Sequence, residues 1–396
     1  MQLADAPSVL REVDKNETAK VNAAGYTPSA RVLYLTDLMP TGKFGSMEEQ
    51  IFELSKVFHQ RGGLFLPVFG NPLSDTVAEK YQAAALPVAG LNLHSFSTRK
   101  LLTLLRLIRR NAITTVHWNF YSPINPFVWL LSILAPGLTH CLTDHTSREL
   151  PLRKPPTGIK KLIKTFLFRR YEKVWCISDF VVDCLEQNGT WSNLSRCTYF
   201  INTDRFKPDE SVRTKLRQEL NADSKFIVLF VGHVIKVKGG DVAIKAMRSV
   251  PDSVHLWFLG DGADLPAIKE LAEALSVGDR VNFLGSQNHV EPFMQAADCF
   301  ICPSLWGEAT GLVNLESQAV GLPVIASRIG GIPEFVSHGV TGFLFTPGDD
   351  QELAKYIRML AEDIGLHSRL STAARSMILE KHSIERRIDE YLKSYD

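Results

Sequence analysis

Two glutamates eight residues apart stand out between residues 303 and 327, in PSLWGEATGLVNLESQAVGLPVIAS. Glu308 lies in a predicted loop after an apolar run, and Glu316 lies inside a predicted helix of about eight residues. One carboxylate of such a pair can face the reacting end of a ligand while the other reaches a ribose diol. On spacing alone, solvated or capping carboxylates explain the pair more simply.

The predicted start of that helix is a candidate anion site. Gly311, Leu312 and Val313 open the helix, so their N–H groups lack intrahelical partners and carry the positive end of the helix dipole. Backbone amides in this arrangement bind phosphate. The pattern therefore predicts a phosphate-bearing ligand beside the two glutamates.

A basic loop lies between a predicted strand and a predicted helix in FVGHVIKVKGGDVAIKAM, residues 230–247. It carries Lys236 and Lys238. A lysine ammonium about 4 Å from a phosphate interacts with it by roughly 4 kcal/mol at an effective dielectric constant of about 20. In isolation, the two lysines could equally form a solvated loop face.

Together these segments closely resemble the donor site of the family 4 retaining glycosyltransferases, whose GT-B fold has two facing Rossmann-like domains. The resemblance implies that Glu316 binds the nucleotide ribose and that Glu308 lies by the donor sugar. It also implies that Lys238 holds the diphosphate and stabilises the leaving group. The family commonly has arginine five residues before this lysine, whereas this chain has His233, and we expect Lys236 to compensate for the missing charge.

Two loops in the first half extend the resemblance. LTDHTSRE, residues 142–149, resembles a strand-end histidine motif of the family, which implies that His145 contacts hydroxyls of the donor sugar. A structural histidine is the simpler alternative, and a metal shared with His140 would need a third ligand that is not evident. MPTGKFGSMEEQ, residues 39–50, corresponds to the family's glycine-rich loop, where Gly45 could let the backbone approach phosphate.

The elements that must position these residues alternate between short apolar strands and helix-length segments from residue 31 onward. Several strands are apolar on both faces, as expected when helices cover both sides of a parallel sheet. Each half is therefore predicted to be a doubly wound α/β domain. The strand predictions are RVLYLTDL, GLFLPVF, ITTVHW, THCLT and KVWCIS in the first half, and KFIVLFVG, HLWFLG, RVNFLG, DCFICPS and PVIAS in the second.

Charge, apolar pattern and the family resemblance together divide the 396 residues into five parts. We expect ligands in the cleft between the two large domains, at the carboxyl ends of their strands. The tract YFINTDRFKP resembles the family's inter-domain junction. The predicted parts are a polar extension (1–29), an acceptor domain (30–205), a linker (206–222), a donor domain (223–378) and a C-terminal helix (379–396) that packs back toward the first domain.

Net charge is +1, but residues 1–200 hold 23 basic and 16 acidic side chains while residues 201–396 hold 21 and 27. This split argues against a nucleic-acid partner and favours an anionic acceptor or membrane surface for the first half. Residues 97–110 and 153–173 mix basic and apolar side chains at helical spacing and could lie on anionic lipid. Alternatively, both helices cover the sheet and carry a solvated basic face.

The six scattered cysteines suit reduced thiols in the cytosol, and the C-x-x-C of Cys299 and Cys302 is interpreted as core. No signal-peptide pattern opens the chain, and the apolar run at 127–135 is shorter than the ~20 residues of a membrane span. These features predict a cytoplasmic protein, with peripheral attachment to the inner face of the membrane as a further hypothesis. No Asp-x-Asp pair supports a metal-bridged diphosphate, so neither metal nor other cofactor is expected.

The resulting hypothesis is a retaining, metal-independent hexosyltransferase that moves a sugar from a UDP- or GDP-sugar to a hydroxyl acceptor. Lipid-linked, polysaccharide and small-metabolite acceptors all fit a basic first domain, within cell-surface glycan, polysaccharide or glycolipid synthesis. A nucleotide-sugar epimerase or hydrolase on the same fold is an alternative, as is a non-catalytic nucleotide-sugar-binding subunit. The sequence does not choose between UDP, GDP and ADP donors.

Overall fold

The computed structural model describes residues 29–38, 44–70 and 73–396. The predicted polar extension, apart from Ser29, lies outside these residues. So do positions 39–43 of the loop that contains Gly45.

The described chain forms two compact units, and each unit takes residues from more than one stretch of sequence. The first unit contains the residues up to His145, with Lys154–Thr198 and Arg387–Asp396. The second unit contains Thr146–Arg153 and Tyr199–Arg386.

A parallel seven-stranded sheet with the order β3-β2-β1-β4-β5-β6-β7 forms the centre of the first unit. The chain reverses direction across the sheet between β1 and β4, so their carboxyl ends flank the position where doubly wound folds bind ligands. The strands are β1 (Arg31–Thr36), β2 (Leu64–Phe69), β3 (Ala89–Gly90), β4 (Thr115–Asn119), β5 (Thr139–Asp144), β6 (Lys173–Cys176) and β7 (Leu194–Arg196).

Six helices connect these strands. Side chains of β2 are buried at every position, which requires helices on both faces of the sheet. The helices are α1 (Ser46–Gln60), α2 (Asp75–Ala83), α3 (Thr98–Arg110), α4 (Pro126–Leu134), α5 (Gly158–Phe168) and α6 (Asp179–Asn188).

The second unit is built on a parallel six-stranded sheet with the order β10-β9-β8-β11-β12-β13. Here the direction reverses between β8 and β11. The strands are β8 (Phe226–Val231), β9 (Val254–Leu259), β10 (Val281–Gly285), β11 (Cys299–Cys302), β12 (Val324–Ser327) and β13 (Gly342–Phe345). The helices are α7 (Glu210–Glu219), α8 (Gly240–Ala246), α9 (Leu265–Ala274), α10 (Glu291–Ala296), α11 (Leu312–Val320), α12 (Asp350–Glu362), α13 (Ile364–Lys381) and α14 (Ile384–Ser394), whose last residues belong to the first unit.

Alternate residues of β8 enter two different cores of the second unit. Val228 and Phe230 pack in one cluster, while Ile227 and Leu229 pack in another. Since successive side chains of a strand point to opposite faces, both faces of this sheet are covered. The predicted α/β class with two doubly wound domains is therefore confirmed.

The division between the units differs from the predicted boundaries. The main stretch of the second unit begins at Tyr199 rather than at residue 223, so residues 206–222 lie within that unit. Within them, Asp209 caps α7 by accepting hydrogen bonds from the N–H groups of Ser211 and Val212. The same helix is fixed to the sheet because Arg217 donates to Asp298 at 3.1 Å. Because α7 is bound to the sheet through charged side chains such as Arg217, its sequence lacks the apolar pattern from which a packed helix is predicted.

Candidate functional site

The segment with the two glutamates forms the predicted turn and helix. Strand β11 leads into a loop that carries Glu308, and α11 begins after Gly311, whose φ of +68° places it in the left-handed region. Gly321, with a φ of +89°, ends the helix before β12. Glycine at both caps thus explains why a nine-residue helix fits between adjacent strands.

Glu308 is 5% exposed and its carboxylate accepts four hydrogen bonds. Oε1 accepts from Lys238 Nζ at 2.6 Å, Ser304 Oγ at 2.8 Å and Trp306 Nε1 at 2.9 Å. Oε2 accepts from Ser147 Oγ at 3.3 Å. Burial alone would raise the pKa of Glu308, but the Lys238 charge and these donors outweigh it and lower the pKa below its usual value. Glu308 is therefore an anion held in place before any ligand binds.

The loop that carries Lys238 is tied to its neighbours by backbone hydrogen bonds. Val234 N–H donates to Asp261 O at 3.0 Å, and Leu305 N–H donates to Val237 O at 2.8 Å. Lys238 ends a short 3₁₀ turn, and its Nζ lies 5.6 Å from the centre of the Trp306 ring. The predicted lysine therefore lies beside the predicted glutamate, at the carboxyl ends of β8 and β11.

The partners of Glu308 divide into those the sequence could indicate and those it could not. Ser304 and Trp306 lie within four residues of Glu308, so a search for local donors would have found them. Ser147 is 161 residues away. It enters the site because Arg148 N–H donates to Gly307 O at 2.7 Å and Gly307 N–H returns a bond of 2.8 Å. Ser147 Oγ also accepts from Ala309 N–H at 3.1 Å.

Gly330 supports the Glu308 loop from its other side. Its φ is +60°, and a Cβ there would lie 2.6 Å from Glu308 N and 2.5 Å from Glu308 O. Gly331 N–H donates to the same Glu308 carbonyl at 2.8 Å. A side chain at position 330 would therefore displace the backbone of the glutamate.

Gly330→Ala is expected to lower the free energy of unfolding by about 2–4 kcal/mol, because it combines a disfavoured φ with backbone overlap. The matched control is Gly348→Ala, where φ is +86° but the nearest atom, Leu305 Cδ2, would lie 3.8 Å away. Urea unfolding measures the free energy of unfolding of both variants. Equal losses of stability in the two variants would contradict the close approach at Gly330.

Glu316 lies in the second turn of α11 and is 5% exposed. Just before the N-cap of the same helix, Thr310 is 2% exposed, and its hydroxyl has no hydrogen-bond partner within the described residues. A buried, unsatisfied hydroxyl is costly, so a ligand at the start of α11 would supply a partner. The contact of Glu316 with a ribose stays a prediction, as do the phosphate contacts of Leu312 and Val313.

His233 is exposed and lies two residues after the end of β8. Gly45 caps α1 with a φ of −83°, and its N–H donates to the Glu48 carboxylate at 3.1 Å. The N–H group of Gly45 is therefore part of a capping box. Donor binding by His233 and by Gly45 stays a prediction.

His145 lies directly after β5 in the first unit, at the predicted strand end. It is hydrogen-bonded through Nε2 to Asn119 Oδ1 and stacks on Phe120, with ring centres 4.4 Å apart. Burial lowers the pKa of His145 to about 3, so the imidazole is neutral at pH 7. A neutral ring suits hydrogen bonding to a hydroxyl rather than charge stabilisation. Its contact with a donor sugar stays a prediction.

The alternative of a metal shared by His140 and His145 gains no support from His140, which is buried and accepts from Trp118 Nε1 at 3.1 Å. Across residues 29–38, 44–70 and 73–396, no group of three or more His, Cys, Asp and Glu side chains could hold a metal ion. Cys299 and Cys302 are buried free thiols in β11, as the core interpretation predicted.

Comparison with known proteins agrees with the resemblance. Residues 212–377 match the sequence model of the glycosyl transferases group 1. N-acetyl-alpha-D-glucosaminyl L-malate synthase of Bacillus anthracis is 33% identical over 46% of this chain and 48% of its own length. Lipopolysaccharide core biosynthesis glycosyltransferase LpsE of Rhizobium meliloti is 30% identical over 57% of this chain and 64% of its own. The chain thus spans about half the length of such curated relatives.

Among solved structures, the crystal structure of Anabaena HepE in complex with UDP-glucose has a TM-score of 0.75. It is 20% identical and covers 92% of this chain and 98% of that one. At this identity the likeness establishes a shared fold, and the predicted GT-B fold class is confirmed.

Proposed function

We propose that this protein, whose residues 212–377 belong to the glycosyl transferases group 1 family, is a retaining, metal-independent glycosyltransferase that uses a nucleoside diphosphate sugar. One observation carries the proposal. Lys238 and Glu308 meet at 2.6 Å where the sheet of the second unit reverses direction, the position at which doubly wound folds bind ligands.

The leaving diphosphate is the group that this site would stabilise. Departure of the sugar places negative charge on the diphosphate, and Lys238 supplies a fixed positive charge beside it. The N–H groups of Leu312 and Val313 and the unsatisfied hydroxyl of Thr310 add donors at the start of α11. No metal is needed in this scheme, because the lysine and the helix dipole neutralise the diphosphate.

Glu308 would position the donor sugar, and Glu316 would bind the ribose. The acceptor hydroxyl would attack the same face of the sugar that the diphosphate leaves, which retains the configuration at the anomeric carbon without a covalent enzyme intermediate. Electrostatic stabilisation of the leaving group then contributes more than a general base.

The donor and acceptor classes are supported by the relatives. HepE was crystallised with UDP-glucose, and LpsE is named for lipopolysaccharide core biosynthesis. We therefore propose a UDP- or GDP-sugar as donor and a hydroxyl group in a glycan, polysaccharide or glycolipid as acceptor, with the protein working on the cytoplasmic side.

A thermal-shift screen of UDP-, GDP- and ADP-sugars tests the donor class directly. A ligand at 100 times its Kd should add about 2.7 kcal/mol of stability. The stabilising donor is then incubated with acceptors, and NMR of the product should show the anomeric configuration of the donor. The rate should persist in EDTA. Loss of activity in EDTA with recovery in magnesium, or an inverted product, would contradict the mechanism.

The same assay without acceptor separates the alternatives. Rapid epimerisation or release of free sugar would identify an epimerase or a hydrolase instead. Tight donor binding without transfer to any acceptor of a broad panel would identify a binding subunit.

A further inference from the structure

Helix α5 carries an apolar stripe that the first unit does not cover. Ile159, Leu162, Ile163 and Phe166 follow the i, i+3, i+4, i+7 spacing of one helix face and are 73%, 71%, 52% and 57% exposed. Of the eleven residues of α5, all of them described, only Phe168 is buried. An amphipathic helix normally buries such a stripe, so this one is available for a partner.

Helix α3 shows that the exposure of α5 is not a property of basic helices in this fold. It is also basic and apolar, but its side chains Leu101, Leu104, Leu107 and Ile108 are buried. Of the two basic segments in the sequence, α3 is thus the sheet-covering helix with a solvated basic face. That interpretation does not hold for α5.

Helix α4 extends the apolar surface. No charged residue occurs between positions 121 and 143, and Ile133 and Leu134 are 64% and 48% exposed. The rings of Trp129 in α4 and Phe166 in α5 lie 5.3 Å apart, so the two helices are in contact. A shallow hollow of about 610 Å³ on this surface is lined by Phe96, Ile124, Pro126, Trp129, Leu130 and Leu167.

The charged residues in the stretch of chain that contains α5 are all of one sign. Residues 154–171 contain six basic and no acidic side chains. Lys160 and Lys164 are one turn apart and, at 100° per residue, both lie on the same side of the apolar stripe, with Lys160 nearer to its edge. Lys161 points away from the stripe, because its Nζ lies beside Gly189 at the end of α6. An exposed apolar stripe on a helix whose only charges are lysines is the pattern of helices that lie in the surface of an anionic bilayer.

We propose that α5 and the exposed part of α4 form a docking surface for an anionic lipid bilayer. Ile159, Leu162 and Ile163 enter the headgroup region, while Lys160 and Lys164 meet lipid phosphates. A helix of eleven residues is about 16 Å long, roughly half the hydrocarbon thickness, so α5 lies along the surface. This binding is independent of the proposed sugar transfer and is measurable without any substrate.

No helix in the described part of the chain is both long and apolar enough to cross a membrane.

Sedimentation of the full chain with vesicles tests the proposal. We expect binding to phosphatidylcholine vesicles that contain phosphatidylglycerol, weaker binding at high salt, and little binding to pure phosphatidylcholine. Lys160→Glu combined with Lys164→Glu should weaken the partitioning at least about tenfold. Ile159→Asn with Leu162→Asn should also weaken it, and both pairs are exposed enough to leave folding intact.

Matched controls lie in the second unit. Lys215→Glu changes an equally exposed lysine, and Ile364→Asn changes an isoleucine that is 83% exposed. Both should bind vesicles like the parent protein. The proposal is overturned if the α5 variants bind as well as the parent, or if pure phosphatidylcholine binds equally. It is also overturned if the protein does not bind vesicles but self-associates, and if the α5 substitutions abolish that self-association.

Discussion

Lys238→Ala is expected to lower the turnover number for sugar transfer about 100- to 1,000-fold, the usual cost of removing one preorganised donor to a developing negative charge. The protein should still fold, although its free energy of unfolding should fall because the ion pair with the buried Glu308 carboxylate is lost. Glu308 keeps three further donors, from Ser304, Trp306 and Ser147, so its buried carboxylate does not become unpaired. Steady-state transfer with a saturating donor measures the effect, and slow hydrolysis of the donor can report the same step.

Two further variants test whether the loss of turnover is specific to the charge at position 238. Lys245→Ala removes a lysine of the following helix that pairs with Asp241 at 2.7 Å, and its turnover should match the parent. Lys238→Arg keeps the charge and should retain more activity than Lys238→Ala. Unchanged turnover in a folded Lys238→Ala protein would remove this residue from the mechanism.

Glu308→Gln is expected to lower the free energy of unfolding at pH 7 by about 2 kcal/mol, because hydrogen bonds to a charged group are lost and Lys238 loses its counter-charge. The effect should depend on pH. The pKa of Glu308 is lower in the folded protein than in the unfolded chain. Its stabilising contribution is therefore present above the unfolded pKa and disappears as pH falls through the folded one.

Urea unfolding at neutral pH and in acid measures this difference between Glu308→Gln and the parent. The gap should narrow as pH falls below about 4.3, the ordinary pKa of a glutamate in an unfolded chain, and close as pH passes through the lower pKa of folded Glu308. Glu270→Gln, on the exposed side of α9, should show no gap at either pH. If the difference in unfolding free energy between Glu308→Gln and the parent stayed constant down to acid pH, the charge of Glu308 would not be what stabilises its loop.

The strands that sequence predicted are those with long, doubly apolar patterns, such as β1 and β8. The strands it missed are β3, β7 and β13, of which β3 and β7 are two and three residues long and too short to show a period. β13 spans only four residues, Gly342–Phe345, and pairs with β12. The formation of β13 depends on its pairing with β12 rather than on a pattern in its own sequence.

At the candidate site, residue types and spacing located Lys238, Glu308 and the start of α11. They could not show that Lys238 and Glu308 bind each other, because a contact over 70 residues depends on the order of β8 and β11 in the sheet. Likewise, the basic and apolar residues of α5 were visible in the sequence. The sequence could not show whether these residues are buried, because α3 has the same kind of pattern and its apolar face is buried.

The short return of Thr146–Arg153 into the second unit has a consequence for recombination between relatives. A chimera cut once, near residue 198, would import a foreign first half together with a foreign counterpart of Ser147 and Arg148. The residue at position 147 of the foreign half would then determine whether Glu308 keeps the hydrogen bond that Ser147 donates. Crossovers that keep the second unit whole must fall at its four junctions, after residues 145, 153, 198 and 386.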